Sequence, residues 1–240
     1  MVAAHFCDAC GKVQPAVPTD YFSFFGLPRK LNIDTAALER ELFALSRRLH
    51  PDLYANASDQ EQSWSLEQTS KLNDAYRTLR DPILRTEYLL KIQGIRTPER
   101  SAAATEAARQ SGQTKQPAVP PDLLEEVFEI NMQLEALRAN KKLGEEDYAL
   151  TRELQQSQHN FEHKLDSVRD ELHALWNDWD ALIDREQSEQ HTVAGTPLLS
   201  QSDRVGSDAR RELCMKFLEL LNRRRYVQHL VHEIGDALSE

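Results

Sequence analysis

An all-α fold is what this 240-residue chain predicts, with a first group of helices near its start and a three-helix bundle behind it. Three observations carry the prediction. Only eight glycines and ten prolines punctuate the chain. Leu, Ala, Glu and Arg, all good helix formers, are abundant. Apolar residues recur three and four positions apart, and no segment reads convincingly as a strand. There are no internal repeats.

Residues 1–19 are short and proline-dotted and carry Cys7-Asp8-Ala9-Cys10-Gly11. From Asp20 the stretch DYFSFFGLPRKLNI predicts a short aromatic turn of helix closed by Gly26 and Pro28. Asp34 has the character of an N-cap. Behind it Leu38, Leu42, Leu45 and Leu49 mark a helix from about 35 to 49. His50-Pro51-Asp52 ends that helix, because proline excludes the residue before it from helical geometry. A second long helix follows from about 59 to 80, through Trp64, Leu66, Leu72, Ala75, Tyr76 and Leu79. Asp81-Pro82 breaks it and opens the next, which closes at Gly94. Residues 96–121 hold almost no large apolar side chain and read as a linker or loop. Three helices are expected after it, over about 122–140, 145–186 and 207–238, and the polar run 187–207 divides the last two. The domain boundaries that follow are 1–19, 20–95, 96–121 and 122–240.

Composition removes several function classes. No apolar run approaches the roughly 20 residues of a membrane-spanning helix. The N-terminus has neither an apolar signal core nor the arginines of a transit peptide, and three cysteines make no disulfide framework. A cytoplasmic protein without a membrane partner is expected. Net charge is −10 and unevenly placed. Residues 20–95 hold 10 Lys/Arg against 11 Asp/Glu, whereas residues 122–186 hold 7 against 17. Such an acidic face repels phosphate backbones, so nucleic acid is a poor partner. It either keeps the bundle soluble or docks a basic partner. No Gly-rich phosphate loop or nucleophile elbow is present, and no enzyme is predicted. His159 and His163 have metal-competent helical spacing, but no Glu or Cys completes a zincin-like site, and a solvated pair is expected.

The helix from 122 is unusual for a bundle helix. Leu123, Val127, Ile130, Leu134 and Leu137 form one stripe, sufficient to pack it. Leu124, Phe128 and Met132 form a second, flanked by Glu125 and Glu129. A second apolar face rimmed by carboxylates reads as a partner site. The alternative is that both stripes are buried, in a wider core or against the first group of helices.

As a tripeptide His50-Pro51-Asp52 is weak evidence, but its setting is specific. It lies between two amphipathic helices of similar length. Arg40, Arg47 and Arg48 make the entering helix basic, and Asn73-Asp-Ala-Tyr-Arg-Thr-Leu-Arg-Asp-Pro82 lies on the leaving one. With Asp20-Tyr-Phe-Ser-Phe-Phe-Gly-Leu27, this segment of about 75 residues strongly resembles a J-domain, the module by which co-chaperones stimulate the ATPase of an Hsp70. The resemblance implies that Asp52 offers a carboxylate to a cation of the Hsp70, with His50 and Pro51 in an extended, outward-facing turn. Arg40, Arg47 and Arg48 would steer the approach to an acidic surface. On the residues alone, a helix terminator and a solvated face remain the other reading.

No Gly/Phe-rich stretch or repeated cysteine motif follows the J-like segment. An acidic helical bundle does, and that layout resembles the HscB family, dedicated co-chaperones of iron–sulfur cluster assembly. Arg85–Ile95 and Pro120–Leu137 are also similar to that family. The resemblance implies that Leu124, Glu125, Phe128, Glu129 and Met132, with Tyr226 from the last helix, hold the cluster-assembly scaffold. A general J-protein recruiting unfolded clients is the alternative. No cofactor is required. Cys7 and Cys10 form half of a zinc knuckle, to which His5 is a candidate third ligand, and some members carry a second pair.

Overall fold

The computed structural model describes residues 5–95, 119–144, 147–192 and 201–239. The all-α expectation holds: among the described residues there is no strand, only one isolated antiparallel bridge between Phe6 and Val13. Contacts gather the chain into two units, Met1–Thr97 with Trp176–Cys214, and Pro98–Leu175 with Met215–Glu240.

In the first unit, α1 (Tyr21–Phe24) opens on Asp20, whose carboxylate accepts from the Ser23 N–H, and it buries Phe22 and Phe24. Next, α2 (Thr35–Leu49) starts at Asp34, which accepts from the N–H groups of Ala36 and Ala37. A 3-10 turn over Pro51–Tyr54 joins it to α3 (Asp59–Arg80). The start of α3 carries a capping box: the Ser58 side chain accepts from the Glu61 N–H, and Glu61 returns a bond to the Ser58 N–H. Asp81 ends α3 and caps α4 (Pro82–Ile92), with Pro82 in its first turn. The two long helices run antiparallel. The Tyr76 hydroxyl meets Glu39 near one end of the pair, while Ser65 meets the Leu49 carbonyl near the other.

Leu66 of α3 is 64% exposed. The buried face instead follows Ser65, Gln68, Leu72, Ala75 and Leu79. Two polar residues occupy it because each has a carbonyl to bond: Ser65 reaches Leu49 at 2.6 Å and Gln68 reaches Gln14 at 3.1 Å.

Behind these helices comes α5 (Leu124–Leu143), then α6 (Tyr148–Thr192) and α7 (Gln201–Ser239). The last two are longer than the periodicity predicts. Residues 96–118 of the expected linker, and 193–200 of the polar run, lie outside the described residues. The stretch of α6 from Trp176 belongs to the first unit and is bonded to it side chain by side chain. Trp179 Nε1 donates to the Arg29 carbonyl at 2.8 Å, and Trp176 Nε1 to the Thr86 hydroxyl at 3.0 Å. Asp180 accepts from the backbone N–H groups of Leu31 and Asn32 at 2.6 and 2.9 Å.

The second unit is a three-helix bundle. Its core joins Leu123, Val127, Ile130, Leu134 and Leu137 to Leu154 and Phe161 of α6, and to Tyr226, Val227, Leu230 and Ile234 of α7. Each leucine buried there contributes about 1.5–3 kcal/mol relative to exposure. Edge bonds fix the directions of the helices. Asp122 meets Arg223 and Arg138 meets Glu233, so α5 runs parallel to α7; Glu126 meets Lys164 while Asn140 meets Asp147, so α6 runs against α5.

Candidate functional site

Two candidate faces emerge, one in each unit. The first is built at the C-terminal end of α2. Its last carbonyl, on Leu49, accepts hydrogen bonds from the hydroxyls of Ser65 at 2.6 Å and Thr69 at 2.9 Å, both on α3. The Tyr54 hydroxyl donates to the Arg48 carbonyl at 3.0 Å. The helix end is thus held from behind by side chains that satisfy carbonyls the helix cannot satisfy itself. Sequence reasoning missed Ser65 and Thr69. The available signal was a pair of hydroxyls four residues apart on α3, on the side that faces the end of α2.

From that clamped end His50 leaves the helix with φ −59° and ψ 127°. Pro51 then starts the 3-10 turn, so the segment is extended only at His50 and is otherwise a tight turn. The His50 Nδ1 accepts from the Asp52 N–H at 3.3 Å and lies 3.5 Å from its carboxylate. The Asp52 side chain is 90% exposed. A carboxylate so little solvated by the protein keeps its acceptor capacity for a partner.

The three arginines differ. Arg40 lies 3.8 Å from Asp34 at the surface, and Arg47 is exposed. The Arg48 guanidinium instead stacks over the Phe6 ring at 3.8 Å, a cation–π contact that ties it to the N-terminal segment. Its charge persists, but its position is set by Phe6. Phe43, between Arg40 and Arg47 on α2, is 57% exposed.

That N-terminal segment is a hairpin. Phe6 bridges Val13, the Cys7 N–H donates to the Lys12 carbonyl at 2.8 Å, and the Gly11 N–H donates to the Cys7 carbonyl at 2.8 Å. Gly11 sits at φ 70°, a conformation that side chains resist. Backbone N–H groups of Cys10 and then Ala9 lower the pKa of the Cys7 thiol. The turn brings the Cys7 and Cys10 side chains together. His5 is buried, its Nε2 lies 2.9 Å from the Phe24 carbonyl oxygen and its Nδ1 3.1 Å from the Gln68 side-chain oxygen. It is a core residue rather than a third ligand. Among the described residues no group of three or more His, Cys, Asp or Glu is placed to hold a metal. Cys7 and Cys10 alone supply two of the four ligands that a closed structural zinc takes.

The second face lies on α5. The core stripe is buried, whereas Leu124, Phe128 and Met132 are 53%, 68% and 57% exposed. Glu125 and Glu129 are exposed beside them. The alternative of a wider core covering both stripes is therefore excluded within this unit. Tyr226 does not join the exposed stripe: it is 7% exposed and packs in the core with Leu123, Val127 and Val227. Burial, and then Glu233, raise its pKa. Its place on a polar-looking RRRY run disguised a core position.

No family model matches the chain. Similarity to individual proteins is clear. The co-chaperone protein HscB homolog of Vibrio cholerae is 45% identical over 76 residues, which is 32% of this chain and 44% of that protein. Mouse iron–sulfur cluster co-chaperone protein HscB is 41% identical over 95 residues, 39% of this chain and 41% of that one. The crystal structure of human co-chaperone protein HscB superposes with a TM-score of 0.54 at 24% identity, covering 98% of this chain and 90% of that one. The chain has the HscB fold, and in sequence it is similar to HscB co-chaperones. The matched stretches span less than half of either curated relative. Among the described residues no helix is long and apolar enough to cross a membrane.

Proposed function

We propose that this protein is a non-enzymatic co-chaperone of the HscB type, acting in the cytoplasm between an Hsp70 ATPase and the scaffold protein of iron–sulfur cluster assembly. The observation that carries the proposal is the Asp52 carboxylate, 90% exposed on a turn whose entry is clamped by Ser65 and Thr69. A pre-positioned carboxylate can form a charge-assisted hydrogen bond to an Hsp70 cation without first ordering its own loop. Arg47 and Arg40 add long-range attraction to an acidic surface, which speeds association more than it tightens the complex.

The α5 face supplies the second contact. Phe128 and Leu124 are large apolar anchors beside Met132, and Glu125 and Glu129 orient a basic partner. The scaffold with its nascent cluster is the cargo. Bringing cargo and Asp52 to the Hsp70 together stimulates ATP hydrolysis there, and cluster transfer follows. The name of the mouse relative supports the iron–sulfur setting over a general client recruiter.

The test uses two variants of the full chain. Asp52→Ala should lose at least about tenfold in Hsp70 ATPase stimulation, as expected for removal of a charge-assisted contact, and still bind the scaffold. Phe128→Ala should weaken scaffold binding by about 1–3 kcal/mol and leave Hsp70 stimulation in the absence of scaffold unchanged. Full stimulation by the first variant, or unaltered scaffold affinity in the second, overturns the corresponding half of the assignment.

A further inference from the structure

On α6 the side chains of His159 and His163 stand one helical turn apart, with their Nε2 atoms 3.0 Å from each other and ring centroids 4.4 Å apart. Both rings lie at the surface, the His159 side chain being 61% exposed. Glu162 places a carboxylate oxygen 3.7 Å from His159 Nδ1. These positions lie deep inside a helix that continues from Tyr148 to Thr192, so the backbone spacing is rigid.

The two nitrogens are close enough to bind a single ion. Imidazole nitrogens bind first-row metals at about 2.0–2.1 Å. Two such bonds at a right angle leave the nitrogens about 3.0 Å apart, whereas a tetrahedral angle spreads them to about 3.4 Å. The observed 3.0 Å is a hydrogen-bond separation that brings both nitrogens within reach of one ion. Among divalent first-row ions, paired imidazoles bind Ni²⁺ and Cu²⁺ strongly, following the Irving–Williams order.

We propose that His159 and His163 form a two-ligand chelate for Ni²⁺ or Cu²⁺, with water in the remaining positions. Each ring offers a neutral Nε2 lone pair to the metal and carries its proton on Nδ1. Binding replaces the Nε2-to-Nε2 hydrogen bond with two metal bonds. The ring that donates in that hydrogen bond moves its proton to Nδ1, so neither ring changes charge.

Ni²⁺ titration calorimetry tests this on the full chain carrying Cys7→Ser and Cys10→Ser, which removes the competing thiols. One Ni²⁺ per chain is expected at this pair. Either His159→Gln or His163→Gln should weaken that binding about tenfold or more, because the second ligand no longer acts at high effective concentration. His173→Gln, an exposed histidine on the same helix, should leave it unchanged. All three positions are exposed, and unchanged far-ultraviolet circular dichroism will establish that the helix is intact. Absence of Ni²⁺ binding, or affinity indifferent to both substitutions, overturns the site.

Discussion

Replacing Asp180 by alanine should destabilise the first unit more than any other single change to a charged side chain there. The carboxylate is 9% exposed and accepts from the backbone N–H groups of Leu31, itself fully buried, and of Asn32. Arg85 is 5% exposed. Burial lowers its pKa, and the charges of Asp180 and then Asp81 push it back up. Alanine therefore leaves one buried N–H unpaired, at about 1–3 kcal/mol. It also removes one of the two carboxylate charges that favour the buried Arg85 cation, a through-space effect of about 1–2 kcal/mol at an effective dielectric near 20. A total of about 2–5 kcal/mol follows. For a protein of this size that is a fall in Tm of about 4–20 °C. Asp180→Asn keeps a single acceptor and should lose about half as much. Thermal unfolding followed by circular dichroism reads both variants. A fall below about 2 °C for Asp180→Ala would show that the Arg29–Asn32 loop does not depend on this carboxylate.

Smaller effects are expected at three other places. Ser65→Ala should cost about 1 kcal/mol, since Thr69 still bonds the Leu49 carbonyl, and adding Thr69→Ala should cost a further 1–2 kcal/mol in urea unfolding. Burial pushes the Cys214 thiol up to about 11, so native protein at pH 8 should expose only Cys7 and Cys10 to a thiol reagent, with Cys214 reacting after denaturation. Because its folded pKa is raised, Cys214 adds stability that is complete below the unfolded value near 9 and is lost between about pH 9 and 11; Cys214→Ala should flatten that decline. Phe6→Ala should release Arg48 and cost about 0.5–1 kcal/mol, seen as a comparable shift in the urea midpoint.

Helix boundaries in the first unit were legible because their signals are local. Asp34, the Ser58–Glu61 box and Asp81-Pro82 each specify a terminus within four residues of sequence, and α2, α3 and α4 begin where they stand. The exposed stripe Leu124, Phe128 and Met132 was legible for a related reason: one helix cannot bury two faces in a bundle of three. The misses share a different cause. The resemblance implies Tyr226 on the scaffold face, and nothing near Ser65 announces its burial, yet what decides both is a partner far along the chain. Ser65 takes the buried position beside Leu66 because the Leu49 carbonyl needs a donor, and Tyr226 fills a core completed by Leu123 and Val127. Asp180 was likewise counted among the acidic residues of a solvated face. Nothing within its own helix announces that it accepts two bonds from residues about 150 positions earlier.

The residues proposed to meet partners have one physical property in common: the fold makes little use of them. The Asp52 side chain is 90% exposed, and Phe128 leaves two-thirds of its surface in water while Val127 and Ile130 beside it are buried. Removing such side chains should alter binding and leave the urea midpoint within about 0.5 kcal/mol of the parent. Ser65, Thr69 and Asp180 are the opposite case, since each satisfies a backbone group that sets where a helix ends or a loop lies. The two classes can be separated in one experiment that measures Hsp70 stimulation and stability on the same variants. Asp52→Ala should lose stimulation at unchanged stability. Ser65→Ala with Thr69→Ala should lose stability first, and stimulation only as far as the His50–Asp52 turn loosens. If the clamp variant lost stimulation fully while remaining as stable as the parent, Ser65 and Thr69 would be part of the contact with the partner and not its support.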